Sequence, residues 1–260
     1  MKPYAKKRWG QNFLIDPNIL RKIISVIQPK PNEVIAEIGS GRGALTEYLV
    51  ASGAQIHAIE IDPRLVGELR EKFADLSNFQ IHHEDALETD FRKLAGVQKL
   101  RVVGNIPYNI TSPLLFRLFD RHEYITDIHF LMQKEVARRI TAQPNSREYG
   151  ILAVLTSFYG KAYYCFEVSP NVFRPIPKVS SAELQIRLQP RITDNAFRKH
   201  FHTVVRAAFG KRRKTLHNAL AELLPANRRD CPINPQRRAE TLTPEEFIAL
   251  TQWIAATDLQ

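Results

Sequence analysis

The apolar positions of this chain follow two rhythms that alternate along its first two thirds. In residues 17–28, Ile19, Leu20, Ile23, Ile24 and Ile27 recur at helical spacing, which predicts an amphipathic helix. The next apolar stretch, EVIAEIG (33–39), is short and unbroken, reads as a strand and runs into a glycine-rich turn. ALTEYLVASG (44–53) returns to helical spacing and stops at Gly53. The alternation continues with a strand at 55–62, a helix at 63–75 with Pro63 in its first turn, and strands at 79–85 and 100–106. A helix at 112–120, a strand at 127–133 and a helix at 134–142 complete it. Such an order predicts a doubly wound α/β sheet.

After a polar break at 142–150, an apolar helix is expected near 150–159, then strands at 162–169 and 181–188. Past Pro190 the strand rhythm is lost. Helical patterns occupy 195–209, 212–224 and 243–257, joined by short loops. The expected division is an α/β domain over 1–187 and a small all-helical domain over 188–260.

Composition narrows the class. The 260 residues are 44% hydrophobic and 25% charged, enough to bury a core. No run of 18 apolar residues exists, so no membrane span is expected. The basic start, MKPYAKKRWG, lacks the apolar region of a secretory signal. Cys165 and Cys231 show no Cys-x-x-Cys spacing, which predicts neither a zinc site nor a disulfide scaffold and fits a reducing cytoplasm. The net charge of +10 is uneven: residues 1–30 and 185–260 each carry +6, and 31–184 carry −2. Basic ends around a near-neutral centre point to a polyanion held at the ends while other chemistry occupies the middle.

That chemistry is placed at successive strand ends. Gly39, Gly41 and Gly43 stand between a strand and a helix, where glycines let a backbone approach a ligand. Their G-x-G-x-G spacing differs from the dinucleotide pattern, and an empty βα turn would read similarly. Glu60 ends the next strand, 21 residues after Gly39, where a carboxylate can accept from both ribose hydroxyls of an adenosine. Asp85 ends the third strand and can accept from an adenine amino group. The glycine turn and Glu60 together favour a nucleoside cofactor and leave NAD and S-adenosylmethionine open; Asp85 bears on that choice, although alone it reads as a strand-end Asp that opens a turn or helix.

The fourth strand end is NIPY (105–108). An exocyclic amine such as adenine N6 is a poor nucleophile because its lone pair is delocalised into the ring. Two acceptors on its hydrogens, the Asn105 side-chain oxygen and the Ile106 carbonyl, would pyramidalise the nitrogen and aim the lone pair at an electrophilic methyl. Pro107 fixes the bend, and Tyr108 offers a face for a flipped base to stack on. Rate would come from positioning and electrostatics.

With these residues together the chain resembles the adenine-N6 methyltransferases that use S-adenosylmethionine. GQNFLID (10–16), EIGSGRGALT (37–46), GNIPYNITSPLLF (104–116), LMQKEVARRITAQPNSREYG (131–150), NVFRPIPKVSSA (171–182) and RRKTLHNAL (212–220) narrow this to the KsgA/Dim1 family of small-subunit ribosomal RNA adenine dimethyltransferases, nearest its bacterial branch. The resemblance implies a Rossmann-like class I methyltransferase sheet with a helical C-terminal domain. It implies a likeness of role for Asn12 and Leu14 as contacts to the cofactor, Gly39 and Gly41 along its methionine portion, Glu60 at its ribose, Asp85 at its adenine and Asn105 by the reacting methyl. Phe173 is implied to lie against the target adenine with Tyr108. The implied partners are 16S ribosomal RNA and the small ribosomal subunit, with the basic stretch 210–220 facing RNA phosphates, a monomeric enzyme and a cytoplasmic location. Ser40 and Ser180 depart from the family pattern, which often has Pro and Asp there. The macrolide-resistance methyltransferases of large-subunit RNA share QNF and Asn-x-Pro-Tyr; PLLF, QKEVA and RRKTLHNAL favour the small-subunit branch.

Overall fold

The computed structural model describes residues 11–211, 213–224 and 230–257. In chain order the first elements are β1 (Phe13–Leu14), α1 (Pro17–Ile27), β2 (Val34–Ile38), α2 (Ala44–Val50), β3 (Gln55–Glu60), α3 (Pro63–Lys72), β4 (Phe79–His83), α4 (Phe91–Ala95), β5 (Leu100–Asn105) and α5 (Thr111–Asp120). They are followed by β6 (Ile125–Gln133), α6 (Lys134–Ile140), α7 (Ile151–Tyr159), β7 (Gly160–Val168), β8 (Phe173–Arg174) and β9 (Ser181–Leu188). The chain ends with α8 (Asn195–Gly210), α9 (Leu216–Ala219) and α10 (Pro244–Thr257).

Seven strands form one sheet in the order β4-β3-β2-β5-β6-β9-β7. From β4 to β6 every pair is parallel, and β9 runs antiparallel to β6. Buried residues dominate the central strands, with Ile35, Ala36 and Ile38 on β2 and Val102 and Val103 on β5, as a parallel sheet covered on both faces requires. The strand order reverses between β2 and β5, so their carboxyl ends open the crevice in which α/β sheets bind ligands. Gly104 makes that centre possible: a Cβ there would stand 2.4 Å from the Ile38 carbonyl oxygen.

The helices are placed by local signals that the sequence carries. Asp16 caps α1 by accepting from the backbone N–H of Asn18 and Ile19, Pro17 occupies the first turn, and Leu20, Ile23 and Ile27 face the sheet. At its other end, Arg101 of β5 donates to the Ile27 and Gln28 carbonyls and pairs with Asp127 of β6 and Glu33. Burial alone would raise the pKa of the Asp127 carboxyl, but its bonds to His129 and to this guanidinium together hold it below its usual range.

The chain divides into two compact units. One comprises the described residues up to 137 with 163–188; the other comprises 138–162 with the described residues from 189 onward. The expected boundary near residue 188 therefore misses a segment: 138–162 belongs with the helical unit. Its side chains explain why. Phe158 of α7 stacks on Phe201 of α8 with ring centroids 4.2 Å apart, Tyr149 donates to the Leu242 carbonyl, and the Tyr159 hydroxyl meets His202. A linear reading assigns this apolar helix to the sheet it adjoins in sequence.

Three shorter departures have physical causes. Of the helix expected over 212–224, Arg212 lies outside the described residues, and the described part holds only α9, Leu216–Ala219, followed by turns; Pro225 in the sequence disfavours helical geometry at Leu224 alone. The two-residue strands β1 and β8 were not expected, because pairing of Phe13 with Arg174 and Leu14 with Phe173 joins segments with no local pattern. The five-residue α4 is too short to display a periodicity.

Candidate active site

The turn after β2 is held in a shape that excludes side chains. Gly39, Gly41 and Gly43 all have positive φ, at 69°, 59° and 77°, where L side chains are strained. Gly41 is also crowded, since a Cβ there would lie 3.2 Å from the Phe13 ring. Ser40, where a Pro was expected from the family pattern, is buried and donates to the Glu37 carbonyl, while its own carbonyl accepts from Gly43. Thus the serine is bonded within the turn.

Glu60 closes the turn from the neighbouring strand. One carboxylate oxygen accepts from the Gly41 N–H at 2.9 Å and the other from the Asp62 N–H at 2.9 Å. Burial pushes its pKa above the ordinary carboxylate range against these bonds. Each oxygen retains a lone pair, so the carboxylate can fix the turn and still accept from a ligand hydroxyl. Just past β4, Asp85 accepts from the Leu87 N–H through Oδ1 and lines the cleft.

Across the crevice, β5 ends at Asn105. Its Nδ2 donates to the Asn12 carbonyl at 2.8 Å. A carbonyl only accepts, so the amide nitrogen must face Asn12, and Oδ1 is directed away as an acceptor. The Ile106 N–H is used by the Leu131 carbonyl of β6, and its side chain is buried close to Gly104. The Pro107 carbonyl accepts from Ile110 and Thr111, locking the bend. Tyr108 follows, half-buried, with its hydroxyl 3.1 Å from Ser181 Oγ on β9.

Asn12, Gly39, Gly41, Glu60, Asp85, Asn105, Ile106, Pro107 and Tyr108 line one cleft. The fold brings eight residues from four separate strand ends together with Asn12 of the N-terminal segment. Leu14 lines an adjoining cavity of about 420 Å³ that shares Phe13, Gly39, Gly41 and Asn105 with this cleft. Phe173 does not join the group. It is 1% exposed and packs with Leu14, Leu20 and Ile23 in the core cluster beneath β1. Its strand pairing with Leu14 turns the ring inward, so the expectation that it faces the target adenine is corrected here: the ring is a core residue.

Two residues escaped the sequence reading. Phe13, which the sequence carries inside QNF with no role of its own, walls both cavities and covers Gly41. Glu37, read only as part of a strand, lies fully buried in the second cavity with Thr46 Oγ1 donating to it at 2.6 Å, and burial raises its pKa to about 7. A charged residue inside an otherwise apolar strand was the available signal.

The cleft fits a nucleoside sulfonium by the chemistry of its donor and acceptor groups. Two acids stand at consecutive strand ends, a crowded glycine turn lies between them and Asn105, and Asn105 and the aromatic Tyr108 line the same cleft. The model of the family "Ribosomal RNA adenine dimethylase" matches residues 3–256. The chain belongs to that family. A relative from Methylococcus capsulatus, named ribosomal RNA small subunit methyltransferase A, is 44% identical over 255 residues, covering 97% of this chain and 98% of the relative. Among solved structures, a dimethyladenosine transferase from Plasmodium falciparum superposes with a TM-score of 0.81 over 95% of this chain and 98% of its own, at 24% identity. The 23S rRNA methyltransferase ErmE does so at 0.72 over 94% and 100%, at 25% identity. Thus the sheet is that of class I S-adenosylmethionine-dependent methyltransferases, and family membership makes the chain an adenine dimethyltransferase acting on ribosomal RNA. Among the described residues no helix is long and apolar enough to cross a membrane.

Proposed function

We propose that this chain transfers methyl groups from S-adenosylmethionine to N6 of two adjacent adenosines in the 3′-terminal hairpin of 16S ribosomal RNA, ending at N6,N6-dimethyladenosine. The observation that carries the reading is the Asn105 amide, whose oxygen is oriented as an acceptor by the bond from Nδ2 to Asn12. That oxygen takes one hydrogen of the target amine and aims its lone pair, while Tyr108 stacks against the ring. When bound, the cofactor supplies an electrophilic methyl on a sulfonium. Glu60 receives its ribose, Asp85 its adenine amino group, and the turn at Gly39 and Gly41 lies along its methionine portion, with Asn12 and Leu14 from the N-terminal segment.

Small-subunit RNA is favoured over large-subunit RNA by the 44% identity to a small-subunit enzyme against 25% to a 23S enzyme. In the helical unit, Lys211, Arg213 and Lys214 are exposed and suited to phosphates; Arg212 and the basic residues of 1–10 lie outside the described residues. The working form is a cytoplasmic monomer that acts during small-subunit biogenesis. The test is transfer of labelled methyl to undermethylated small subunits, large subunits and free RNA in parallel, with digestion and mass analysis. Dimethyladenosine from small-subunit RNA supports the reading, and label confined to large-subunit RNA would overturn it.

A further inference from the structure

We propose that Ser181 is a positioning residue for Tyr108, and that this pairing controls the second methyl transfer more than the first. The inference rests on the adenine-dimethylating reading of the cleft.

Tyr108 is fixed at both ends. On the backbone side, the Pro107 carbonyl is held by the Ile110 N–H and the Thr111 hydroxyl, and the Ile106 N–H by the Leu131 carbonyl. At the far end the phenol oxygen lies 3.1 Å from Ser181 Oγ. Ser181 is itself rigidly placed. It is 1% exposed, begins β9, pairs in register with Gln133 of β6, and follows Ser180, whose carbonyl accepts from the Lys134 N–H. The hydroxyl pair therefore ties the ring to a sheet strand 73 positions away in sequence. Without it the ring loses one restraint on its orientation, and the plane offered to a base is less firmly fixed.

The chemistry makes the two transfers unequal in their need for that plane. In the first, the N6 lone pair forms a bond to the methyl carbon, the carbon–sulfur bond breaks with its electron pair going to sulfur, and N6 gives a proton to water. Before this step N6 carries two hydrogens for acceptors such as Asn105 Oδ1. Afterwards it carries one hydrogen and one methyl. A single hydrogen fixes the amine less well, so base orientation depends more on stacking against Tyr108 in the second transfer.

The experiment follows N6-monomethyl- and N6,N6-dimethyladenosine with time, by mass, on undermethylated small-subunit RNA. It compares the wild type with Ser181→Ala, Ser181→Thr, Tyr108→Phe and the Ser181→Ala/Tyr108→Phe double variant, with donor affinity measured by calorimetry as a check on the fold. Loss of one hydrogen bond corresponds to a rate effect of about 3- to 10-fold. Ser181→Ala and Tyr108→Phe are expected to accumulate the monomethyl product by slowing the second transfer about that much, with donor affinity retained. Ser181→Thr should restore dimethylation, and the double variant should be no slower than either single one. Equal slowing of both transfers, additive losses in the double variant, or an unchanged product ratio would overturn the proposal. A wild type that makes no dimethyladenosine on any RNA would instead remove the reading beneath it.

Discussion

The side-chain amide of Asn105 is bonded to the backbone carbonyl of Asn12 across 93 positions of sequence. This contact orients the acceptor oxygen at the end of β5 and, beside the β1–β8 pairing, helps hold the N-terminal segment that walls the cleft. Replacing Asn105 with Ala removes the acceptor and this bond. Methyl transfer is expected to fall by about 10²–10³-fold, the scale of losing one preorganised polar group at a reacting centre. Donor affinity should fall far less, by no more than about tenfold, since one neutral hydrogen bond contributes about 1 kcal/mol. Single-turnover transfer and calorimetric binding separate the two, and retained transfer would refute the amine-activating role.

Glu60 joins the glycine turn to its own strand end through Gly41 and Asp62. In Glu60→Gln, one carboxylate oxygen becomes an NH₂ group facing a backbone N–H. A buried donor left without its acceptor costs about 1–3 kcal/mol, so donor affinity is expected to weaken roughly 5- to 100-fold. Equilibrium binding of S-adenosylhomocysteine reads this without turnover.

Two glycines give opposite expectations. Gly104→Ala would drive a methyl to within 2.4 Å of the Ile38 carbonyl between β2 and β5, and overpacking of this kind costs about 1–3 kcal/mol or more. Gly67 in α3 has open space around its Cβ position, so Gly67→Ala should stabilise by up to about 1 kcal/mol through helix propensity. Urea denaturation of the two variants beside the wild type gives the comparison.

Glu37 sets a pH dependence of stability. Its pKa is raised by burial from an unfolded value of 4.5 to about 7 in the fold, so the folded state binds the extra proton in between. Its stabilising contribution is complete below pH 4.5 and is lost as pH rises through 7, a change on the order of 3 kcal/mol. Glu183, fully buried and with its carboxyl raised in the same direction, adds to the trend. Asp127 has a lowered pKa, so its contribution is lost only in more acidic solution. Urea midpoints at pH 5 and pH 8 should differ in favour of pH 5, and Glu37→Gln should reduce the difference. A midpoint independent of pH would contradict the burial of this carboxyl as an acid.

The amino-acid order by itself determined the alternation of strands and helices, the proline that starts α3, and the polar residues at the ends of β2 to β5. These are properties of periodicity and of short-range backbone chemistry, and they sufficed to place Glu60, Asp85 and Asn105 at carboxyl ends of parallel strands. Only the tertiary structure decided which way the Asn105 amide points, because its partner is a backbone carbonyl that every residue possesses. Phe173 turned inward for a similar reason: β1 and β8 pair two residues each, and so short a ladder leaves no alternating pattern to read. The segment 138–162 went to the helical unit because its aromatic contacts lie with α8, far along the chain. Local patterns record what a segment can bury; which distant surface buries it is settled when the chain closes on itself.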